Sequence, residues 1–282
     1  MCHSWRFHFA AAQAVLLLTA TASAANPTES EAQFQLARSL LNSEGQKRDP
    51  ARAFELMKQA AASGHADAEG ALGYFYAAGV ATARDDAEAV RWFRKGAEKG
   101  STKSQFNLGR MLLAGRGVTQ DKAQAFEWIS RAAEQKLPDA MHALGEAVYL
   151  GSHGQEKDRR RAAELLRAAA DADHSEAQNT LGVLLRDTAK SLAETAEAEQ
   201  WFRRAARRKH TKAQSNLGHL LIAAAERERR VEGISSLLHA SEQNEITAVR
   251  TLEEILEKTP PDIVAEARRL ATEEKASAVS TR

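Results

Sequence analysis

The chain has 282 residues, with 39 basic against 38 acidic side chains, 43% hydrophobic and 27% charged. This length supports a sizeable buried core, and the near-zero charge balance excludes a global pull toward nucleic acid or anionic lipid. A single cysteine excludes an internal disulfide, and only five prolines suit an all-helical chain.

The N-terminus reads as a secretory signal peptide over residues 1–24. It carries Arg6 and no acid, an apolar run from Ala10 to Ala20, and small residues at Ala22 and Ala24 before a cut. The run is too short for a comfortable membrane span. Cleavage after Ala24 removes Cys2, and it removes Arg6 with no acid, so 38 basic face 38 acidic residues in the mature chain. The expected location is the periplasm or the medium. Residues 25–30 read as a short polar linker.

From Glu31 a unit recurs. Leu-Gly stands at Leu72-Gly73, Leu108-Gly109, Leu144-Gly145, Leu181-Gly182 and Leu217-Gly218, in steps of 36, 36, 37 and 36 residues. Leu36-Ala37 is a softened earlier copy, and a small residue lies four positions before each Leu. A second motif follows: bulky pairs at Leu56-Met57, Trp92-Phe93, Trp128-Ile129, Leu165-Leu166, Trp201-Phe202 and Leu237-Leu238. Ala stands three residues upstream of the first five pairs and small residues usually follow, and this spacing by three and four defines one helix face. Each unit is therefore two helices. A glycine inside a helix costs about 1 kcal/mol against alanine. Its recurrence at Gly73, Gly109, Gly145, Gly182 and Gly218 points to close helix–helix approach, with Trp92, Trp128 and Trp201 in the core opposite. The expected domain order is six repeats over 31–244, C-terminal capping helices over 245–274 and a disordered tail over 275–282.

Turns carry Asp49, Asp85, Asp121 and Asp158, read as helix N-caps. Glycines at 79, 115, 117, 151 and 154 read as C-caps and tight turns. Gly115-Arg116-Gly117 lacks the preceding strand that a phosphate loop needs. Turns 186–191 and 223–230 hold no glycine, so longer helices are expected there.

The sequence Ala-x-x-x-Leu-Gly, a Gly-x-Gly-Val turn, an Asp, then Ala-x-x-Trp-Phe and Ala-Ala resembles the Sel-1-like repeat family, relatives of the tetratricopeptide repeats. The fullest copy runs from Ser104 to Ala133. The resemblance implies a right-handed all-α solenoid of helix-turn-helix repeats. It also implies a non-catalytic scaffold or adaptor that binds a protein or peptide in the bacterial envelope. A cysteine-rich branch of the family carries a penicillin-hydrolysing activity, which does not transfer to a mature chain without cysteine. A cell-wall hydrolase or a structural part of a secretion or polysaccharide assembly are the alternatives.

No nucleophile elbow, phosphate-binding loop or zinc motif occurs in the sequence. His65, His174 and His210 sit at equivalent junctions along the stack, so they do not converge on a metal. No catalytic residue, metal or cofactor is assigned, and a monomer is expected. The basic run Arg203, Arg204, Arg207, Arg208, Lys209 and Lys212 reads as a solvated outer helix face, with contact to an acidic polymer or partner patch as the open alternative.

In tetratricopeptide-like stacks the first helices line the concave side. The resemblance places the candidate partner-binding residues at set offsets from each repeated Leu: Phe34, Arg38, Tyr74, Phe106, Arg110, His142, Glu146, Asn179, Arg186 and His219. Aromatic and arginine side chains dominate binding energy at interfaces.

Overall fold

The computed structural model describes residues 27–42 and 48–280. The expected signal peptide lies outside the described residues. The described residues form fourteen α-helices and no strand. The chain divides into two compact units, one up to Trp128 and one from Ile129 onward. The first unit contains α1 (Pro27–Asn42), α2 (Pro50–Ala62), α3 (Ala66–Ala78), α4 (Asp86–Glu98) and α5 (Thr102–Ala114). Helix α6 (Lys122–Glu134) spans the division. The second unit contains α7 (Pro138–Leu150), α8 (Arg159–Asp171), α9 (Ser175–Thr188), α10 (Leu192–Arg207), α11 (Thr211–Ile222), α12 (Arg227–Glu242), α13 (Ile246–Leu256) and α14 (Pro261–Ser280).

Odd-numbered helices are the first helices of the repeats and even-numbered ones the second. Within the first unit α1 pairs with α2 and α3 with α4, and each second helix leads onto the next first helix. Within the second unit α7–α8, α9–α10 and α11–α12 pair likewise, and α14 returns to pack on α12.

Two expected boundaries move. Helix α1 begins at Pro27, inside the stretch read as a linker, because Pro at the first helical position lacks an N–H that the helix would leave unpaired anyway. Helix α14 runs on to Ser280, well past Glu274 and into the expected tail, through a segment rich in good helix formers.

Caps fix the second helices. Asp49, Asp85, Asp121 and Asp158 accept from the backbone N–H of Arg52, Glu88, Gln124 and Arg161 at 2.8–3.0 Å. Gly79, Gly115 and Gly151 close α3, α5 and α7 in the left-handed conformation, with φ of 67°. Where the turns lose glycine, α10 and α12 reach 16 residues, against 13 for α2, α4, α6 and α8.

The repeated helix glycines are contact points. A Cβ on Gly73 would stand 2.5 Å from Phe93 Cδ1, one on Gly182 2.6 Å from Phe202 Cε1, and one on Gly218 2.5 Å from Leu237 Cγ. Gly145 faces Leu166 and Leu165 more loosely, at 3.0 Å and beyond. Gly109 is buried in α5. The core residue of each bulky pair is the second member: Phe93, Ile129, Leu166 and Phe202 are at most 2% exposed. Trp92, Trp128 and Trp201 are only half-buried, which corrects their assignment to the core. Two adjacent helical residues point about 100° apart, so only one of them can face the glycine.

The last pair is also out of register. Leu237, not Leu238, faces Gly218, so Leu237 is equivalent to Phe202 and Ser236 to Trp201. Gly233 then takes the place of Ala198, and a Cβ there would meet the backbone nitrogen of Ile222 at 2.9 Å.

Candidate interaction surface

The first helices present their repeated positions side by side. In the first unit three equivalent positions, two residues after the repeated Leu, hold Arg38, Tyr74 and Arg110. All three are exposed, Tyr74 by 59%. Their neighbours support them. Phe34 lies against the His65 ring with centroids 4.6 Å apart and carries the Arg38 guanidinium 5.7 Å above it. Phe106 is half-buried under the Arg110 guanidinium at 5.8 Å. The aromatic rings thus hold cations in place while their charges stay in water.

The second unit uses the same face differently. His142 of α7 bonds Thr180 of α9 at 3.2 Å. Asn216 of α11 donates from Nδ2 to Asn179 Oδ1 of α9 at 2.9 Å, and Arg186 donates to Asn216 Oδ1 at 3.3 Å. The His219 ring of α11 meets Thr251 of α13 at 2.7 Å through Nε2 and its own-helix carbonyl of Ser215 at 2.7 Å through Nδ1. The carbonyl can only accept, so Nδ1 carries the proton and Nε2 accepts from the Thr251 hydroxyl. These polar residues lace successive first helices together. Of the positions expected to contact a partner here, His142, Asn179, Arg186 and His219 are engaged within the molecule, and Glu146 stays exposed.

The junction histidines have a role that sequence reading missed. His65, His174 and His210 are N-caps: Nδ1 accepts from the N–H of Ala68, Ala177 and Ala213 at 3.1–3.2 Å. On the far side of the ring, Nε2 of His65 meets Glu31 at 2.8 Å and Nε2 of His174 meets Asp139 at 3.2 Å. Accepting at Nδ1 leaves Nε2 as the donor, so a neutral ring ties each cap to a carboxylate one repeat earlier. Ser101 makes the same link to Asp67 at 2.6 Å. The cap-to-carboxylate offset recurs in the sequence at 34–35 residues, which was the available signal.

Burial lowers the pKa of His142 and His210 from the ordinary 6.5. A lowered folded pKa gives stability that is present above 6.5 and is lost as pH falls through the folded value. The melting temperature is therefore expected to drop between pH 7 and pH 5. His210→Asn keeps a capping acceptor and cannot titrate, so its drop over this range should be smaller. An unchanged drop in that variant would contradict the assignment. Glu274 acts in a separate, more acidic window. The His239 hydrogen bond, then that from Ser235, holds its carboxyl below 4.5, so its contribution fades only as pH falls below that value.

The basic run at the end of α10 and just after it is solvent-exposed apart from the half-buried Arg203, and three of its six cations are paired with carboxylates. Arg203 bonds Glu199 and Glu232, Arg204 reaches Asp173 at 3.2 Å, and Arg208 reaches Asp173 at 2.7 Å. Gly115-Arg116-Gly117 is no anion cradle. A Cβ on Gly117 would meet the Asp86 carbonyl oxygen at 2.1 Å, so that glycine is packed on the start of α4, and Arg116 bonds the Asp86 carboxylate at 2.7 Å. Among the described residues no group of three His, Cys, Asp or Glu side chains is assembled as a metal site, and no helix is long and apolar enough to cross a membrane.

The Sel1 repeat family model matches residues 30–65, 66–101, 102–137, 138–174 and 175–210. The chain belongs to the Sel1 repeat family. The matched Sel1 units end at residue 210, so the hairpin α11–α12 lies beyond them. A Sel1 repeat protein from Oxalobacter formigenes has a similar solved structure, with 26% identity and a TM-score of 0.64, covering 83% of this chain and 92% of that one. A protective antigen present in uropathogenic Escherichia coli strains, displaying the same repeat fold, is 27% identical with a TM-score of 0.50. The match covers 89% of this chain and 61% of the antigen. No curated protein matches the chain. Sel1 repeats mediate protein–protein interaction, and protein partners are the class that membership supports.

Proposed function

We propose that this Sel1 protein is an exported, non-catalytic scaffold of the bacterial cell envelope that holds a protein partner on the first-helix face of its N-terminal unit. The observation that carries the reading is the row Arg38, Tyr74, Arg110. Three successive first helices offer these side chains to solvent at one repeated position, two of the three resting on aromatic rings of their own helix. Neighbouring helix axes lie about 8–10 Å apart, so a partner segment crossing the helices would meet each residue in turn. Tyr buries a large rigid surface at low entropic cost, and Arg forks onto a carboxylate or carbonyl. The leader over residues 1–24 supports export.

The test uses the mature chain from Ala25 as bait against envelope extract. Tyr74→Ala with Arg110→Ala should keep the wild-type melting temperature, since both side chains are exposed. Affinity for the captured protein should fall by about 2 kcal/mol or more, roughly 30-fold. Undiminished capture by this variant would remove the row from the interface.

A further inference from the structure

A solvent-open hollow of about 590 Å³ lies among α10, α12 and α14 of the C-terminal unit. Its origin is visible in the repeat. The position held by Trp92, Trp128 and Trp201 in other repeats is Ser236 here, and Ser236 lines the hollow. A large side chain is missing, and the space is of the size that ligand sites occupy, about 300–1,000 Å³.

The charges around the hollow are unevenly spent. Arg203 is paired with Glu232, Lys275 with Glu242, and His239 with Glu274. Arg207 and Lys209 also line it, and neither makes an ion pair among the described residues. Lys209 is held in the left-handed conformation, φ 61°, at the repeat position that Gly64 and Gly100 take in the first two repeats and Lys136 and Asp173 in the next two. A glycine would fit that backbone at no steric cost.

We propose that this hollow binds an acidic peptide segment of a partner protein, with its carboxylates on Arg207 and Lys209 and a side chain in the space that tryptophan fills elsewhere. This site is separate from the first-helix row of the N-terminal unit. The three lining glutamates oppose a continuous polyanion such as nucleic acid, whereas a peptide can place isolated carboxylates on the two free cations and keep uncharged backbone beside the acids.

The probe is a fluorescein-labelled pool of randomised octapeptides with Glu fixed at two central positions. The comparison pool has Gln at those positions, and labelled dodecathymidylate serves as the polyanion. Fluorescence anisotropy with the mature chain should show the Glu pool binding at least about tenfold more tightly than the Gln pool, with affinity falling as salt is added. Lys209→Gly relieves the backbone and removes the charge, so it should raise or preserve the melting temperature while weakening binding. Ser236→Trp restores the residue type of the other repeats and should block binding without altering any charge. Lys103→Gln, in the other unit, should leave binding unchanged. Equal binding of the Glu and Gln pools, or full binding by folded Lys209→Gly and Ser236→Trp variants, would overturn the site. Dodecathymidylate binding as tightly as the Glu pool would replace the peptide reading with a polyanion one.

Discussion

Phe202→Ala is expected to lose about 3–5 kcal/mol of unfolding free energy, the largest cost of any single truncation considered. The ring is fully buried, packs with Ala198, Leu217 and Leu221, and fills the gap that Gly182 leaves in the facing helix. Gly182 has no side chain that could fill the resulting cavity. Trp201→Ala, one residue away, should cost clearly less. That indole is half-buried, and its Nε1 donates to Glu197 of the same helix at 3.3 Å. Denaturant titration of both variants checks the ranking. Because each repeat is held by its neighbours, hydrogen exchange in Phe202→Ala should rise first in α9 to α12. A Trp201→Ala loss equal to or larger than that of Phe202→Ala would contradict the packing described.

Gly73→Leu should cost about 3 kcal/mol by overpacking. An added Cβ alone would lie 2.5 Å from the Phe93 ring, which is 2% exposed and cannot swing into solvent. On helix propensity alone the substitution would be favourable, by up to about 1 kcal/mol. The sign of the effect therefore separates packing from propensity. Phe93→Ala in the Gly73→Leu background should recover part of the loss, giving a coupling energy of about 0.5–3 kcal/mol. Strictly additive losses would mean that the two residues do not meet.

The repeat period and the two-helix unit are legible because buried alanine, leucine and glycine recur on a fixed face, a signal local to each helix. The choice between Trp201 and Phe202 was also within reach. Phe202 lies four residues after Ala198 and three before Ala205, the phase of the buried stripe, while Trp201 does not. Phase, not residue size, decides which of the two is buried. The register of the sixth pair is not legible in the same way, because no glycine marks the turn before α12 and the shortening by one residue has no local sign.

The site was less legible, for a physical reason. The bonds His142–Thr180, Asn179–Asn216 and His219–Thr251 join residues 32–38 apart in sequence. They depend on how one repeat sits on the next, which no single repeat encodes. A polar residue facing outward from one helix can thus be engaged by the neighbouring one. Arg203, Arg204 and Arg208 illustrate the same point at and just after the end of α10, where carboxylates of adjoining repeats take up half of a six-residue basic run.

The most direct test of the scaffold reading is site-specific photo-crosslinking in the native host. A photoreactive phenylalanine analogue replaces Tyr74 in the N-terminal row, and in a parallel strain it replaces Leu192, which is 90% exposed on the other unit. A discrete adduct with one envelope protein is expected from position 74 in the periplasmic or secreted fraction, and none of that mass from position 192. Adducts of the same pattern from both positions, or none from position 74 in folded protein, would contradict the scaffold reading.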